Sequence, residues 1–301
     1  MNNDKSILLT GATGFIGSYI TRALAHSGRA YDTLTRRPDA DICCNLEQDV
    51  PHIAKKYDVV IHAAGTNDPA RADALNNHGT RRLLEGLEHN PPGQIIYLSC
   101  VDVYGEDPGE DVPESCFLRP DTPFSRSKIR AEKAVEKWCA DHSTVCTILR
   151  PAAVIGNGMH GSYADMADKI CRGYYMHIRH NESRRSLVMA DDVAGATVEL
   201  IGTPGVFNIT DGVAHTLIEI ADAMAANFSS DKRVLTMPRG LLKWGLRIVP
   251  VPRVKKAIMA LTRTATYSNA KLCQTIDFKP YNVVEVMARR HPEYPYSMSE
   301  K

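Results

Sequence analysis

The chain has 301 residues, 44% of them hydrophobic and 24% charged, and a formal net charge of +1. This is the composition of a soluble globular protein, long enough for one α/β domain with an appended lobe or for two domains. The near-neutral charge gives no support for a nucleic-acid partner, and no apolar run is long enough to span a bilayer. The eight cysteines lack metal-ligand spacing and no signal peptide is evident, so we expect reduced thiols, no metal and a cytoplasmic location.

The beginning of the chain predicts a dinucleotide site. A short apolar run, 7–9, is typical of a buried strand, and Gly11, Gly14 and Gly17 follow it before a helical pattern begins. A strand that turns into a helix presents free N–H groups and the positive helix end, which suit a pyrophosphate. Gly11 permits the tight turn, Gly14 leaves room for the ligand, and Gly17 lets helix and strand pack closely.

The segment Thr10–Gly17, TGATGFIG, resembles the fingerprint of the extended short-chain dehydrogenase/reductases, the NAD(P)-dependent epimerase/dehydratase family. The resemblance covers most of the chain. It implies an α/β fold, a Rossmann-type doubly wound parallel sheet with a smaller C-terminal substrate lobe. The expected dinucleotide-binding domain is 1–155, with 187–210 returning to it, and the lobe comprises 156–186 and 211–301. By analogy, a homodimer would form through helices near 70–89 and 125–140.

The second predicted strand ends at Arg36 and Arg37, where an acidic residue would favour NAD(H). Arginine suits a 2′-phosphate, so NADP(H) is the favoured cofactor and NAD(H) the alternative. Asn76 begins an N-x-x-G-T pattern, which indicates either positioning of the active-site strand or a polar helix face. Further cofactor contacts implied by the resemblance are Thr13, Phe15, Ile16, Asn45, Leu46, Ala63, Ala64, Gly65, Asn76, Lys128 and Pro151.

The chemistry should lie at the carboxyl end of the predicted strand 94–99 and at the start of the helix near 125–140. In the family, a Ser or Thr lies four residues before the Tyr of V-Y-G, and a Tyr-x-x-x-Lys pair opens the helix. Lys128 matches, but position 124 is Phe and the Ser/Thr position is Cys100. A phenyl ring has no proton to give and a thiol is a poor donor, so both polar groups of the dyad are altered.

Three explanations of this altered site remain open. The protein binds NADP(H) as a sensor or regulatory protein; or another group replaces the tyrosine; or Phe124 is an introduced change. Asp102 is the first replacement candidate, because it resembles an acidic catalytic position of sugar-nucleotide dehydratases. The Cys100 thiol, Tyr104 and Tyr163 are weaker candidates, and Ser99 would need a register change. The alternatives are a space-filling Cys100 and a solvated or capping Asp102.

The favoured function is an NAD(P)-dependent oxidoreductase or epimerase/dehydratase acting on a secondary alcohol or ketone, with a nucleotide-linked sugar as substrate. Tyr104 and Arg185 are the predicted substrate contacts, although Arg185 is equally typical of a protein surface. A reductase of hydrophobic ketones is a third hypothesis, suggested by the apolar segment 239–261. Loop 106–123 is expected to be irregular, and Asp191 or Asp192 to cap the helix that follows.

Overall fold

The computed structural model describes residues 5–228, 235–237 and 262–289. Its strands are β1 (Ile7–Thr10), β2 (Tyr31–Thr35), β3 (Ile42–Cys43), β4 (Val59–His62), β5 (Gln94–Leu98), β6 (Gly109–Val112), β7 (Val145–Pro151), β8 (Ala153–Ile155), β9 (Met176–Ile178), β10 (Arg184–Arg185), β11 (Leu187–Met189), β12 (Gly205–Ile209), β13 (His215–Thr216), β14 (Leu235–Met237) and β15 (Ala265–Tyr267). Seven of them form one parallel sheet in the order β12-β7-β5-β4-β1-β2-β3. Because β1 lies between β4 and β2, the chain winds outward from it in both directions.

The described helices are α1 (Phe15–His26), α2 (Thr80–Gly86), α3 (Pro123–Asp141), α4 (Ser162–Cys171), α5 (Ala190–Glu199), α6 (Leu217–Phe228), α7 (Ala270–Thr275) and α8 (Val283–Ala288). One face of the sheet packs against α1 and α5, and the other against α2 and α3. The central strands are accordingly buried and mostly apolar; β1, for example, is buried at every residue. The expected Rossmann-type fold is confirmed.

A second group of elements forms the smaller lobe. It contains the sheet β13-β10-β15-β6 and the strand pairs β8–β11 and β9–β14. A separate apolar cluster joins α4, α6 and α8, with Ile220 and Met224 fully buried within it. Strand β6 comes from the connection between β5 and β7, yet it pairs with β15. The connection after β5 therefore contributes a strand to the smaller sheet.

Two local predictions were wrong. Segment 106–123 contains β6, because Val112 is buried against the lobe. Neither Asp191 nor Asp192 caps α5, since that helix begins earlier and both residues lie in its first turn. The expected helix near 70–89 is present, as a π-helical turn, Asp73–Gly79, that α2 continues. The apolar segment 239–261 lies outside the described residues.

Candidate functional site

The glycine-rich turn between β1 and α1 has the geometry of a phosphate cradle. Gly11 has φ = 72°, and a Cβ there would lie 2.6 Å from the Ala64 nitrogen. A Cβ on Gly17 would overlap the Gly11 carbonyl oxygen. Gly14 is the N-cap of α1; its N–H donates to the Gly11 oxygen at 2.9 Å, and it offers no capping side chain. Backbone donors at this helix end are thus left for an anion, and the turn fits a dinucleotide pyrophosphate.

A cleft runs from this turn past the ends of β2, β3 and β4. Nine of the predicted cofactor residues line it: Gly11, Thr13, Gly14, Arg36, Asn45, Leu46, Ala63, Ala64 and Gly65. Arg37 is not among the lining residues, and its N–H donates to the Thr35 hydroxyl. Two further charged residues line the cleft that the sequence did not reveal, Glu47 and Arg71. Glu47 and Arg71 come from two separate loops, and no pattern in the sequence indicates that these loops approach each other.

Below the cleft, a buried chain of hydrogen bonds fixes β1, β4 and α2 together. His62 Nδ1 lies 2.7 Å from the Thr10 hydroxyl and His62 Nε2 lies 2.9 Å from the Thr80 hydroxyl. Thr80 donates its proton to the Asn76 carbonyl, so His62 Nε2 must be the donor and Nδ1 the acceptor. Burial, aided by Lys128, lowers the pKa of His62 to about 3. The imidazole is therefore neutral and structural.

Asn76 and Lys128 bring three elements together beside Gly65. The Asn76 side chain accepts from the Thr66 N–H at 2.8 Å and donates to the Ser127 hydroxyl at 2.9 Å. Lys128 Nζ donates to the Leu98 carbonyl at 2.7 Å. A Cβ on Gly65 would lie 3.1 Å from Asn76 Oδ1 and 3.3 Å from Lys128 Nζ. Asn76 thus ties helix α3 to the segment that follows β4.

Two of the predicted catalytic residues, Cys100 and Lys128, lie near each other at the end of β5. Phe124 lies in the first turn of α3, one helical turn before Lys128, and cannot donate a proton. Burial, followed by the charge of Asp102, raises the pKa of the Cys100 thiol, so it stays protonated. Ser99 does not take its place: its N–H continues the ladder to Leu149 at 2.7 Å without a register change. Burial also lowers the pKa of Lys128.

Asp102 is the carboxyl group nearest to this altered dyad in sequence. Its side chain is open to solvent but closely surrounded by protein, and this burial, together with the charge of Asp121, raises its pKa. Burial raises the pKa of Tyr163 to about 12, and the Asp102 charge adds to the effect. Burial also raises the pKa of Tyr267, and the Asp102 charge again adds to the effect. The positive charge of Arg185 lowers the pKa of both Tyr163 and Tyr267, so Arg185 lies close to the two phenols.

The structure contradicts the predicted role of Tyr104 as a substrate contact. Its hydroxyl donates to Asn208 Oδ1 at 2.8 Å and accepts from Arg150 Nη1 at 2.9 Å, and the residue is 2% exposed. Arg150 is itself paired with Glu132 at 2.6 Å in the protein interior. Tyr104 is therefore part of a closed internal network. The sequence does not indicate whether the Tyr104 hydroxyl points into the cleft or into the protein interior.

The remaining predicted site residues are held by packing or hydrogen bonds within the protein. The Phe15 ring makes edge contacts with Tyr19 and with His160, which belongs to the lobe side of the molecule. Ile16 packs against the apolar cluster beside α1, so it can offer only its backbone to a ligand. Pro151 is buried at the end of β7. Arg185 Nη1 donates to the backbone carbonyls of Arg184 and Arg263.

Fold and cleft together define a nicotinamide-dinucleotide-binding protein of the doubly wound class. A sequence model of the NAD dependent epimerase/dehydratase family matches residues 7–210. The chain is 26% identical over 262 residues to UDP-glucose 4-epimerase of Vibrio cholerae, covering 78% of each chain. Two solved structures share its fold. RMD of Pseudomonas aeruginosa with NADPH has a TM-score of 0.74 and 22% identity, covering 95% of this chain and 97% of that one.

The second is UDP-glucose 4-epimerase of Thermus thermophilus with NAD, with a TM-score of 0.73 and 21% identity over 96% of this chain and 98% of that one. The protein belongs to the NAD-dependent epimerase/dehydratase family of NAD(P)-dependent enzymes, as the resemblance implied. Among the described helices, none is long and apolar enough to cross a membrane. No metal-binding cluster of acidic, histidine or cysteine side chains occurs within 5–228, 235–237 and 262–289.

Proposed function

We propose that the protein is an NADP(H)-dependent epimerase or dehydratase of a nucleotide-linked sugar, in which Asp102 transfers the proton that the family's tyrosine would transfer. The observation that carries this proposal is the placement of Asp102. It follows the end of β5 by four residues, and its charge acts on Cys100 and on Tyr163 and Tyr267 of the lobe. Phe124 leaves the usual position without an acidic proton.

The chemistry of Asp102 suits this exchange. A general acid/base works best when its pKa lies near the working pH, and burial moves the pKa of Asp102 upward from its ordinary acidic value. The carboxylate would accept the proton of a substrate hydroxyl, and the carboxylic acid would return it to the ketone. When bound, the nicotinamide cofactor would accept and return the hydride. Lys128 would hold the ribose beside the end of β5.

The substrate assignment is supported by the position of Arg185. Arg185 lies on β10 in the lobe. Its charge changes the pKa of Tyr163 and of Tyr267, and the Asp102 charge changes the pKa of the same two phenols. A planar guanidinium binds phosphate oxygens in pairs, so Arg185 suits a sugar diphosphate. The Vibrio relative is by name a UDP-glucose epimerase, which makes UDP- and dTDP-sugars the first compounds to assay.

The test is turnover of UDP- and dTDP-sugars by wild type, Asp102→Asn and the control Asp277→Asn, whose side chain is 81% exposed. Loss of a positioned acid/base should lower kcat of Asp102→Asn by about 10²- to 10⁴-fold and leave Asp277→Asn unchanged. Because the carboxylate form is the base, oxidation of the alcohol should speed up as pH rises through the Asp102 pKa, and ketone reduction should slow down. Equal rates for the two variants would contradict the proposal.

A sensor that binds NADP(H) without turnover is the second candidate. Phe124 and the protonated Cys100 favour it, since neither supplies the usual proton transfer. Native mass spectrometry of the purified protein separates the candidates in part. Retained cofactor favours a cycle that regenerates it in place, whereas an empty protein that takes up added NADPH points to a sensor or an exchangeable reductase. Reduction of hydrophobic ketones has no supporting observation, because segment 239–261 lies outside the described residues.

A further inference from the structure

The adenosine end of the cleft carries three charged side chains from three separate segments. Arg36 follows β2, Glu47 follows β3, and Arg71 precedes the π-helical turn. Only Arg36 occupies a position at which a 2′-phosphate contact is expected from the strand order. Glu47 and Arg71 line the same cleft as the glycine-rich turn, so a bound dinucleotide would lie within their reach.

Glu47 holds Arg71 in place. Arg71 Nη2 lies 2.5 Å from Glu47 Oε1, and the Glu47 side chain is only 20% exposed. The Glu47 loop is itself fixed: the Glu47 N–H donates to Asn45 Oδ1 at 3.3 Å, and Arg82 Nη1 donates to the Leu46 carbonyl at 3.0 Å. The Arg71 guanidinium is therefore anchored on the wall of the cleft rather than swinging in solvent.

A partly exposed ion pair contributes only modestly to stability, so the main consequence of this pair is what it offers a ligand. A guanidinium has five N–H donors and binds phosphate in a bidentate manner, while a single carboxylate contact uses only part of that capacity. Glu47 alone would repel a phosphate. With Arg36 and Arg71 present, the three side chains carry a net charge of +1, which attracts one.

We propose that Arg71, positioned by Glu47, is a second arginine that selects a cofactor bearing a 2′-phosphate on its adenosine ribose. The inference rests on the proposed preference for NADP(H). Arg71 has two effects: it neutralises the Glu47 carboxylate and it donates to the phosphate. NADH lacks the phosphate and gains from neither.

The experiment is calorimetric titration of NADPH and NADH into wild type, Arg71→Ala, Glu47→Gln and the double variant. Arg81→Ala is the matched control, because Arg81 is an exposed arginine on α2 outside the cleft. We expect Arg71→Ala to weaken NADPH binding by about 10- to 100-fold while changing NADH binding by less than about threefold. Glu47→Gln keeps a side-chain oxygen that accepts from Arg71 but removes the negative charge, so it should tighten NADPH binding, and adding it to Arg71→Ala should restore part of the loss.

Three results would overturn the inference, and they differ from failure of the proposed function. If wild type prefers NADPH but Arg71→Ala behaves like Arg81→Ala, then Arg36 selects alone. If Arg71→Ala weakens both dinucleotides equally, Arg71 contacts a part that they share or supports the cleft. If Glu47→Gln weakens NADH selectively, Glu47 binds a ribose hydroxyl instead. A wild type with no preference for NADPH removes the proposed cofactor preference itself, whereas epimerase or dehydratase activity is tested separately by turnover.

Discussion

The two ends of the cleft are built on different principles. At the cofactor end, the turn around Gly11 and Gly17 leaves no room for side chains, and the backbone forms the binding surface. At the end that we propose to be catalytic, a few side chains that follow β5 or lie on α3 would determine what can react. The first end retains the family pattern through all three glycines, whereas the second keeps Lys128 but carries Phe124 and Cys100. A backbone site tolerates no change at its glycines, but a side-chain site can change chemistry within an unchanged fold.

Substitution of Gly17 gives the largest expected effect and tests the cofactor end. In Gly17→Ala the new methyl overlaps the Gly11 carbonyl, so β1 and α1 must separate. We expect a loss of at least about 3 kcal/mol in the free energy of unfolding, together with loss of dinucleotide binding. Urea denaturation and NADPH titration measure the two effects.

Gly195→Ala is the matched control, because Gly195 lies within α5 and a Cβ there meets nothing within 4 Å. That variant should gain about 0.5–1 kcal/mol from helix propensity. If Gly17→Ala were as stable as Gly195→Ala, close packing would not be what requires glycine in this turn.

A smaller but still large effect is expected beneath the catalytic end. Arg150 and Glu132 are paired in the interior, with side chains 5% and 2% exposed. Glu132→Gln keeps the shape but leaves the guanidinium charge without its partner, which should cost about 3–5 kcal/mol in the free energy of unfolding. Chemical denaturation measures this loss.

The exposed pair Lys137–Asp141 on the same helix provides the comparison, since Asp141→Asn should cost about 0.5 kcal/mol or less. Binding of NADPH to folded Glu132→Gln should be nearly unchanged, because neither Glu132 nor Arg150 lines the adenosine cleft. A loss of binding as large as the loss of stability would mean that the two ends of the cleft are coupled rather than independent.

The fold was predictable because its signals are local and repeated. Apolar strands, the glycine-rich turn and helical patterns each indicate the same parallel sheet, and the described elements agree with it. Side-chain orientation was not predictable. Tyr104 follows the end of β5, as a substrate contact would, yet its hydroxyl is closed off by Arg150 and Asn208. Arg71 and Glu47 meet only because two loops of irregular structure approach each other, and no period in the sequence records that.

The departure at the dyad, in contrast, was visible in sequence, because it depends on the chemical identity of two residues rather than on their orientation. The structure adds the surroundings of the residues near the altered dyad. It places Asp102 under conditions that raise its pKa and keeps the Cys100 thiol protonated. This contrast supports our proposal that Asp102, and not the Cys100 thiol, exchanges the proton.

The most direct test of this account is the effect of Phe124→Tyr on the turnover of a sugar nucleotide that wild type already converts, measured beside Asp102→Asn. If Asp102 performs the proton transfer, Phe124→Tyr should change kcat by less than about threefold, and Asp102→Asn should lower it by about 10²- to 10⁴-fold. A sharp rise in kcat with Phe124→Tyr, together with a neutral Asp102→Asn, would contradict the account. That result would mean that the natural site is an impaired form of the family's own and that Asp102 is a bystander.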